Sequence, residues 1–193
     1  DAAEDLDTPI RLHMAQGQME RDTVASVHGT TAPAWLARLG LLSPRLLAPH
    51  ATHATDDDLK LYADHGVSII HCPLVSGRFG GFLASFRKAR DMGITLAMGT
   101  DTAPPDMLMK LQLGLITARI AEADISAASS AEMWEAATLG GAKALSRTDI
   151  GRLSPGARAD IAVFDLADTH MAPAIDPITT LVAGGSGRVT RAV

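Results

Sequence analysis

Cysteine is almost missing from this chain of 193 residues, where Cys72 stands alone. A lone cysteine excludes an internal disulfide and fits a reducing compartment, so a cytoplasmic location is the expectation. Basic clusters are missing as well: 17 Lys and Arg stand against 22 Asp and Glu, for a net charge of −5. That balance gives no phosphate-binding face for nucleic acid and no patch for an anionic membrane surface. No apolar run approaches the about 20 residues of a membrane-spanning helix. The opening stretch Asp1–Thr8 carries neither a starting Met nor an apolar leader segment, so the chain is expected to begin inside a longer protein. No GxGxxG follows an apolar run and no GK[ST] occurs, which weakens a dinucleotide-binding reading and removes a P-loop one.

What is present is a well-buried globular composition, 47% hydrophobic and 20% charged. Its apolar runs are short. Ile10–Ala15, Leu46–Ala51, Val67–Pro73 and Ile94–Thr100 read as strands. The third of them, Val-Ser-Ile-Ile-His-Cys, does not alternate, as expected of a strand covered on both faces in a parallel sheet. Helical stretches separate them. Met19–Leu42 is expected to be helical with a break near Gly29 and Pro33. A helix starts at Thr55, whose side chain caps it ahead of Asp56, Asp57 and Asp58, and stops at Gly66. Further helices are expected over Leu83–Met92, Met107–Ala123 and Ser130–Leu145, the last with a capping box from Ser129 to Glu132.

This spacing is that of βα units with right-handed crossovers, giving an α/β fold. Either half of a (β/α)8 barrel or an open doubly wound sheet satisfies it. From Ile150 the character changes. Gly151–Gly156 is turn-rich, Ala159–Asp165 alternates as a strand, and Pro173–Gly187 reads as loop. The expected division is therefore a half barrel over residues 1–148 and part of a small β domain over 149–193.

Chemistry concentrates at the strand ends. His13, His50, His71 and Asp101 fall at equivalent places on four consecutive strands. A single histidine is more often structural than functional, but four such side chains in step match how α/β barrels assemble active sites. Neutral imidazole and carboxylate are the usual ligands of a catalytic zinc or iron ion, which keeps one position for water. Asp101, beside Gly99, is placed both to touch a metal and to take a proton from attacking water. Cys72 lies inside a strand without a nucleophile motif. Ser76–Gly81 is glycine-rich and reads as a substrate-closing loop, with Arg78 and Phe79 as contacts.

Several segments occur together in order: Leu12-His13-Met-Ala, Pro49-His50-Ala-Thr-His53, His71-Cys-Pro73 and Met98-Gly-Thr-Asp101. Ala136-Ala-Thr-Leu-Gly-Gly-Ala-Lys-Ala-Leu145 and the run from Asp149 to Asp165 follow. Together they resemble the amidohydrolase superfamily, in the chlorohydrolase/aminohydrolase branch that holds s-triazine hydrolases and guanine, cytosine and thioadenosine deaminases. The resemblance covers nearly the whole chain. It implies strands 5 to 8 of a metal-dependent (β/α)8 TIM barrel with part of a β-sandwich.

By the same resemblance, His13 is the fifth-strand ligand, His50 the sixth-strand histidine, and Asp101 the eighth-strand ligand and proton shuttle. One divalent ion, zinc or iron, is implied. So is hydrolysis of a C–N or C–Cl bond of a cyclic, nitrogen-rich small molecule by metal-activated water. His71 and Arg78 are the expected substrate contacts.

Two positions depart from the family. Where it carries Glu three residues after the fifth-strand histidine, this chain has Gln16, which hydrogen-bonds but cannot give and recover a proton. Leu74-Val75-Ser76 stands where Thr/Ala-Ser-Asn is usual. The first-strand His-x-His pair does not occur in these residues either. The chain is therefore expected to pair with a missing N-terminal half or with itself, and a non-catalytic half-barrel scaffold is the alternative to an enzyme.

Overall fold

The computed structural model describes residues 2–102, 104–187 and 190–192, so that Asp1, Ala103, Arg188, Val189 and Val193 lie outside the described residues. After a short helix α1 (Ala2–Asp5) the chain alternates strand and helix. The elements are β1 (Ile10–Arg11), α2 (Gln18–His28), α3 (Ala32–Arg38), β2 (Leu46–Pro49), α4 (Asp56–His65), β3 (Ser68–His71), α5 (Pro73–Arg78), α6 (Phe86–Asp91) and β4 (Leu96–Met98). Then come α7 (Met107–Glu122), α8 (Ser130–Glu135), a π-helical turn over Ala136–Gly140, α9 (Gly141–Ala144), β5 (Ala162–Phe164), α10 (Pro177–Gly184) and β6 (Thr190–Ala192).

The first four strands form one sheet in the order β1-β2-β3-β4, parallel throughout. Sequential parallel neighbours joined by helices make one arc of a closed barrel. Alternation along the strands gives the arc two faces. Leu46, Ala48, Ile69, Leu96 and Met98 pack with Leu59, Tyr62, Phe86, Leu111 and Leu115 in the main core. Leu47, Ile70 and Ala97 turn the other way, where Ala144 meets them. Among the described residues β5 pairs only with β6, antiparallel, apart from this sheet.

Several elements differ from the sequence expectation. All four strands end earlier than expected, with left-handed backbone following at Ala15, His50, Ala51 and Asp101, and β3 and β4 also start later. Part of the expected Ser76–Gly81 loop is helix, since Pro73 at the first helical position preorganises α5 and Ser76 is buried within it. Part of the expected Pro173–Gly187 loop is α10, capped by Asp176 with Pro177 behind it. The helix over Ser130–Leu145 forms with its capping box but contains the π turn.

Asp58 joins two helix starts. Its carboxylate closes the capping box of α4 by accepting the Thr55 N–H at 2.9 Å, and it also accepts the hydroxyl of Thr31, the N-cap of α3. Asp58 is buried. Replacing it with Ala leaves the Thr55 N–H and the Thr31 hydroxyl without their acceptor. A loss of about 2–3 kcal/mol is expected, measured by urea denaturation.

Gly140 presents the opposite sign to the usual helix rule. An interior Gly→Ala change ordinarily gains about 1 kcal/mol, but a Cβ here would overlap the carbonyl oxygen of Leu96 in β4. Gly140→Ala is expected to destabilise by about 1–3 kcal/mol through overpacking. A more stable variant in the same denaturation assay would show that the helix–strand approach is looser than described.

Candidate metal centre

The register carries past the strands. The His50 N–H donates to the Ile70 carbonyl at 2.9 Å, and the Gly99 N–H donates to the His71 carbonyl at 2.9 Å. Gly99 is required here because a Cβ would stand 2.9 Å from both Cys72 Sγ and Ile70 Cγ2. These bonds bring the ends of β2, β3 and β4 level, and the side chains just beyond them converge.

His50 Nε2 lies 3.4 Å from Asp101 Oδ2, with the imidazole fully buried and the Asp101 side chain 18% exposed. Neither ring nitrogen of His50 has a hydrogen-bond partner among the described residues. The separation has a simple meaning. Two ligands of a tetrahedral ion with bonds of about 2.1 Å stand about 3.4 Å apart. The pair thus fits a shared divalent ion better than a direct hydrogen bond. Cys72 joins the same group, in which one ligand atom from each of the three residues lies within 4.8 Å of the others.

Burial sorts the chemistry of these groups. His50 is held below the usual histidine range, first by burial and then against the opposing pull of Asp101, with His13 adding to the lowering. His71 is lowered to about 4, again by burial first and by His50 second. Both imidazoles are therefore neutral near pH 7, the form a metal needs. The Cys72 thiol is pushed up to about 12 by burial first and Asp101 second, and it donates weakly to the Ile70 carbonyl at 3.5 Å. A protonated thiol is a poor ligand and a poor nucleophile.

The other expected residues separate. His13 is exposed at the open edge of the sheet, and its ring lies 5.2 Å from that of His50 at a 32° tilt. It stands beside the three-residue group without being part of it. Gln16 is half-buried in the loop after β1. His71 is buried, follows the alternation of Ile69 toward the helix layer, and lies 6.2 Å from the Phe86 ring. Arg78 is exposed at the end of α5.

Two residues have roles that the sequence does not announce: Glu20, one helical turn beyond Gln16, and Lys110. Glu20 accepts the N–H groups of Ala15 and Gln16, each at 2.8 Å. Lys110 is buried within α7 and donates from Nζ to the Pro104 carbonyl at 2.8 Å, bracing the loop that follows Asp101. Its place among Met107, Leu108 and Leu111 carries no signal of that role. A cavity of about 700 Å³ lies elsewhere, between α7, α8 and residues 151–164, with Trp134 and Phe164 in its wall.

A profile of the Amidohydrolase family matches residues 1–192. Over 195 residues the chain is 32% identical to the 5-methylthioadenosine/S-adenosylhomocysteine deaminase of Nitratidesulfovibrio vulgaris strain Hildenborough, covering 99% of this chain and 44% of that protein. The Pyrococcus furiosus protein of the same name is 28% identical over 189 residues, covering 96% and 45%. Among solved structures, a zinc-bound adenosine deaminase of Xanthomonas campestris superposes with a TM-score of 0.92 at 31% identity, covering 98% of this chain and 44% of that one. The atrazine chlorohydrolase of Arthrobacter aurescens TC1 complexed with zinc gives 0.83 at 28% identity, covering 99% and 43%. The chain spans less than half the length of these relatives. Its parallel sheet is half of a (β/α)8 barrel, and with the profile running from end to end the chain belongs to the amidohydrolase family.

Proposed function

We propose that the protein carrying this chain is a metal-dependent aminohydrolase, cleaving a C–N or C–Cl bond of a cyclic, nitrogen-rich small molecule. The observation that carries this reading is the His50–Asp101 pair, 3.4 Å apart at the strand ends, with neither His50 ring nitrogen hydrogen-bonded among the described residues. His13, His50 and Asp101 would hold one divalent ion, zinc or iron, with further ligands from outside this chain. When bound, such an ion lowers the pKa of water towards about 7.

The remaining work falls to the chain's own side chains. Asp101, the partly exposed member of the pair, takes the proton from the attacking water. His50, locked by its backbone bond to Ile70, orients the site from below. His71 is too buried to reach a substrate directly and acts through the neighbouring His50. Gln16 hydrogen-bonds a ring nitrogen without protonating it, and Arg78 meets the substrate at the mouth. Adenine nucleosides are the first substrates to consider, because the relatives include proteins named as methylthioadenosine and adenosine deaminases.

We further propose a cytoplasmic protein in which residues 1–148 form the half barrel and 149–193 belong to a small β domain. The half barrel would be completed by an N-terminal half or a second copy, since the parallel arc leaves β1 and β4 each paired on one side only. No helix among the described residues is long and apolar enough to cross a membrane. The coverage of 44% of the relatives gives a second reading its footing: a half-barrel subunit without catalysis of its own.

Metal analysis and turnover assays decide between the two. The protein carrying this chain is expected to hold one zinc or iron per protomer and to release ammonia from methylthioadenosine, S-adenosylhomocysteine or adenosine, or chloride from atrazine. Asp101→Asn should lower kcat by about 10²–10⁴-fold, the range of a lost acid–base group. Absence of both metal and turnover, with the complementary half supplied, would leave the scaffold reading standing.

Gln16→Glu restores a group able to give and recover a proton. Deamination of adenine nucleosides is expected to rise by about 10-fold or more at unchanged metal content. An unchanged rate would mean that Gln16 does not face the substrate ring.

A further inference from the structure

The loops after β1 and β2 are stitched together by backbone bonds at unusual conformations. The Ala51 N–H donates to the Met14 carbonyl at 3.3 Å, and the His53 N–H donates to the Ala15 carbonyl at 2.7 Å. Met14 and His50 form an isolated parallel bridge. Ala15, His50 and Ala51 all sit at positive φ, of 50°, 77° and 54°. Side-chain-bearing residues adopt this region only when their surroundings over-determine it.

Glu20 supplies the constraint on the β1 side. It stands in the first turn of α2, and its two carboxylate oxygens accept the Ala15 and Gln16 N–H groups in a fork. Gly17, the N-cap of α2, offers no side-chain cap to the first-turn N–H groups of the helix itself. The fork fixes Ala15, whose carbonyl holds His53; the neighbouring Met14 carbonyl holds Ala51, next to His50. His13 lies on one side of the stitch and His50 on the other, with their rings 5.2 Å apart.

We infer that Glu20 is a positioning residue that sets the orientation of His13 relative to His50, through the Ala15–Gln16 amides and the loop stitch, beyond any part it has in capping α2. The inference rests on the proposed metal site only for one of its two readouts.

The test separates capping from positioning. Glu20→Gln keeps one acceptor oxygen but turns an NH2 toward the second backbone N–H, which breaks the fork. Gly17→Ser, made in that background, gives α2 an ordinary cap: Gly17 has extended backbone at φ −140°, and nothing lies within 4 Å of an added Cβ. All variants are made in the protein carrying this chain.

In metal-free protein, the ring proton–carbon NMR signals of His13 and His50 are expected to shift in Glu20→Gln and to stay shifted in Gly17→Ser/Glu20→Gln, while the double variant regains the parent melting temperature. Cobalt(II), titrated as the probe, is expected to bind about 10- to 100-fold more weakly in both variants, with altered visible bands, the scale typical of a lost support to a ligand. Histidine signals and cobalt spectra that return to those of the parent in the double variant would overturn the inference and reduce Glu20 to a helix cap. Should the parent itself bind no cobalt, the metal reading fails, and the metal-free histidine signals still decide the role of Glu20.

Discussion

The register of the parallel sheet is the constraint on which the rest of the site depends. Pro49 stands opposite Ile70, and His71 opposite Met98. In a parallel pair a one-residue slip would reverse which face each side chain occupies. Once that register holds, His50 and Cys72 must emerge at one level, and Asp101 reaches the same level after the Gly99 contact with Cys72 and Ile70. The glycine is thus part of the geometry that brings His50, Cys72 and Asp101 together. A side chain at position 99 would press on β3 at Ile70 and on Cys72 just after it.

Alignment alone would aim these side chains up or down by simple alternation. The left-handed backbone at His50, Ala51 and Asp101 breaks the alternation where the strands end. Strain of this kind costs on the order of 1–3 kcal/mol per residue and survives only where surrounding bonds hold it. Here the holding bonds are visible: Met14 and Ala15 carbonyls on the β2 loop, and Lys110 on the Pro104 carbonyl beyond Asp101. A buried ammonium that braces a loop is an expensive choice unless the loop's conformation matters. That Lys110 lies under the loop carrying Asp101 is consistent with such a need.

The strand ends were readable in the sequence because parallel strands display their chemistry at one end, so that His13, His50, His71 and Asp101 line up by order alone. Which face each occupies was not readable. His71 looks equivalent to His50 in the chain, yet regular alternation through Ile69 turns it to the helix layer beside Phe86, while His50 escapes alternation by its positive φ. The helix α10 carried a local signal, Asp176 before Pro177, that glycine content around it obscured. Glu20 shows the reverse case. Its spacing from Gln16 marks one helical turn and nothing more, because the acceptors it satisfies are backbone amides that every sequence contains.

Burial also narrows the ligand set that sequence left open. Three of the residues near the strand ends are soft or borderline donors: His50, His71 and Cys72. Removing each from water favours its neutral form, which has opposite consequences for imidazole and thiol. A neutral imidazole offers a lone pair, whereas a thiol raised to about 12 must give up a proton at considerable cost before it binds. His71, although neutral, faces Phe86 and the core. The group that spacing alone would permit, His50 with Cys72 and Asp101, therefore reduces chemically to nitrogen and oxygen donors. An N/O set suits a catalytic ion that must keep a position open for water, while thiolate-rich sets are those of closed structural sites. On the proposed metal reading, the burial beneath His50 thus selects the kind of ion chemistry as much as the ligands themselves do.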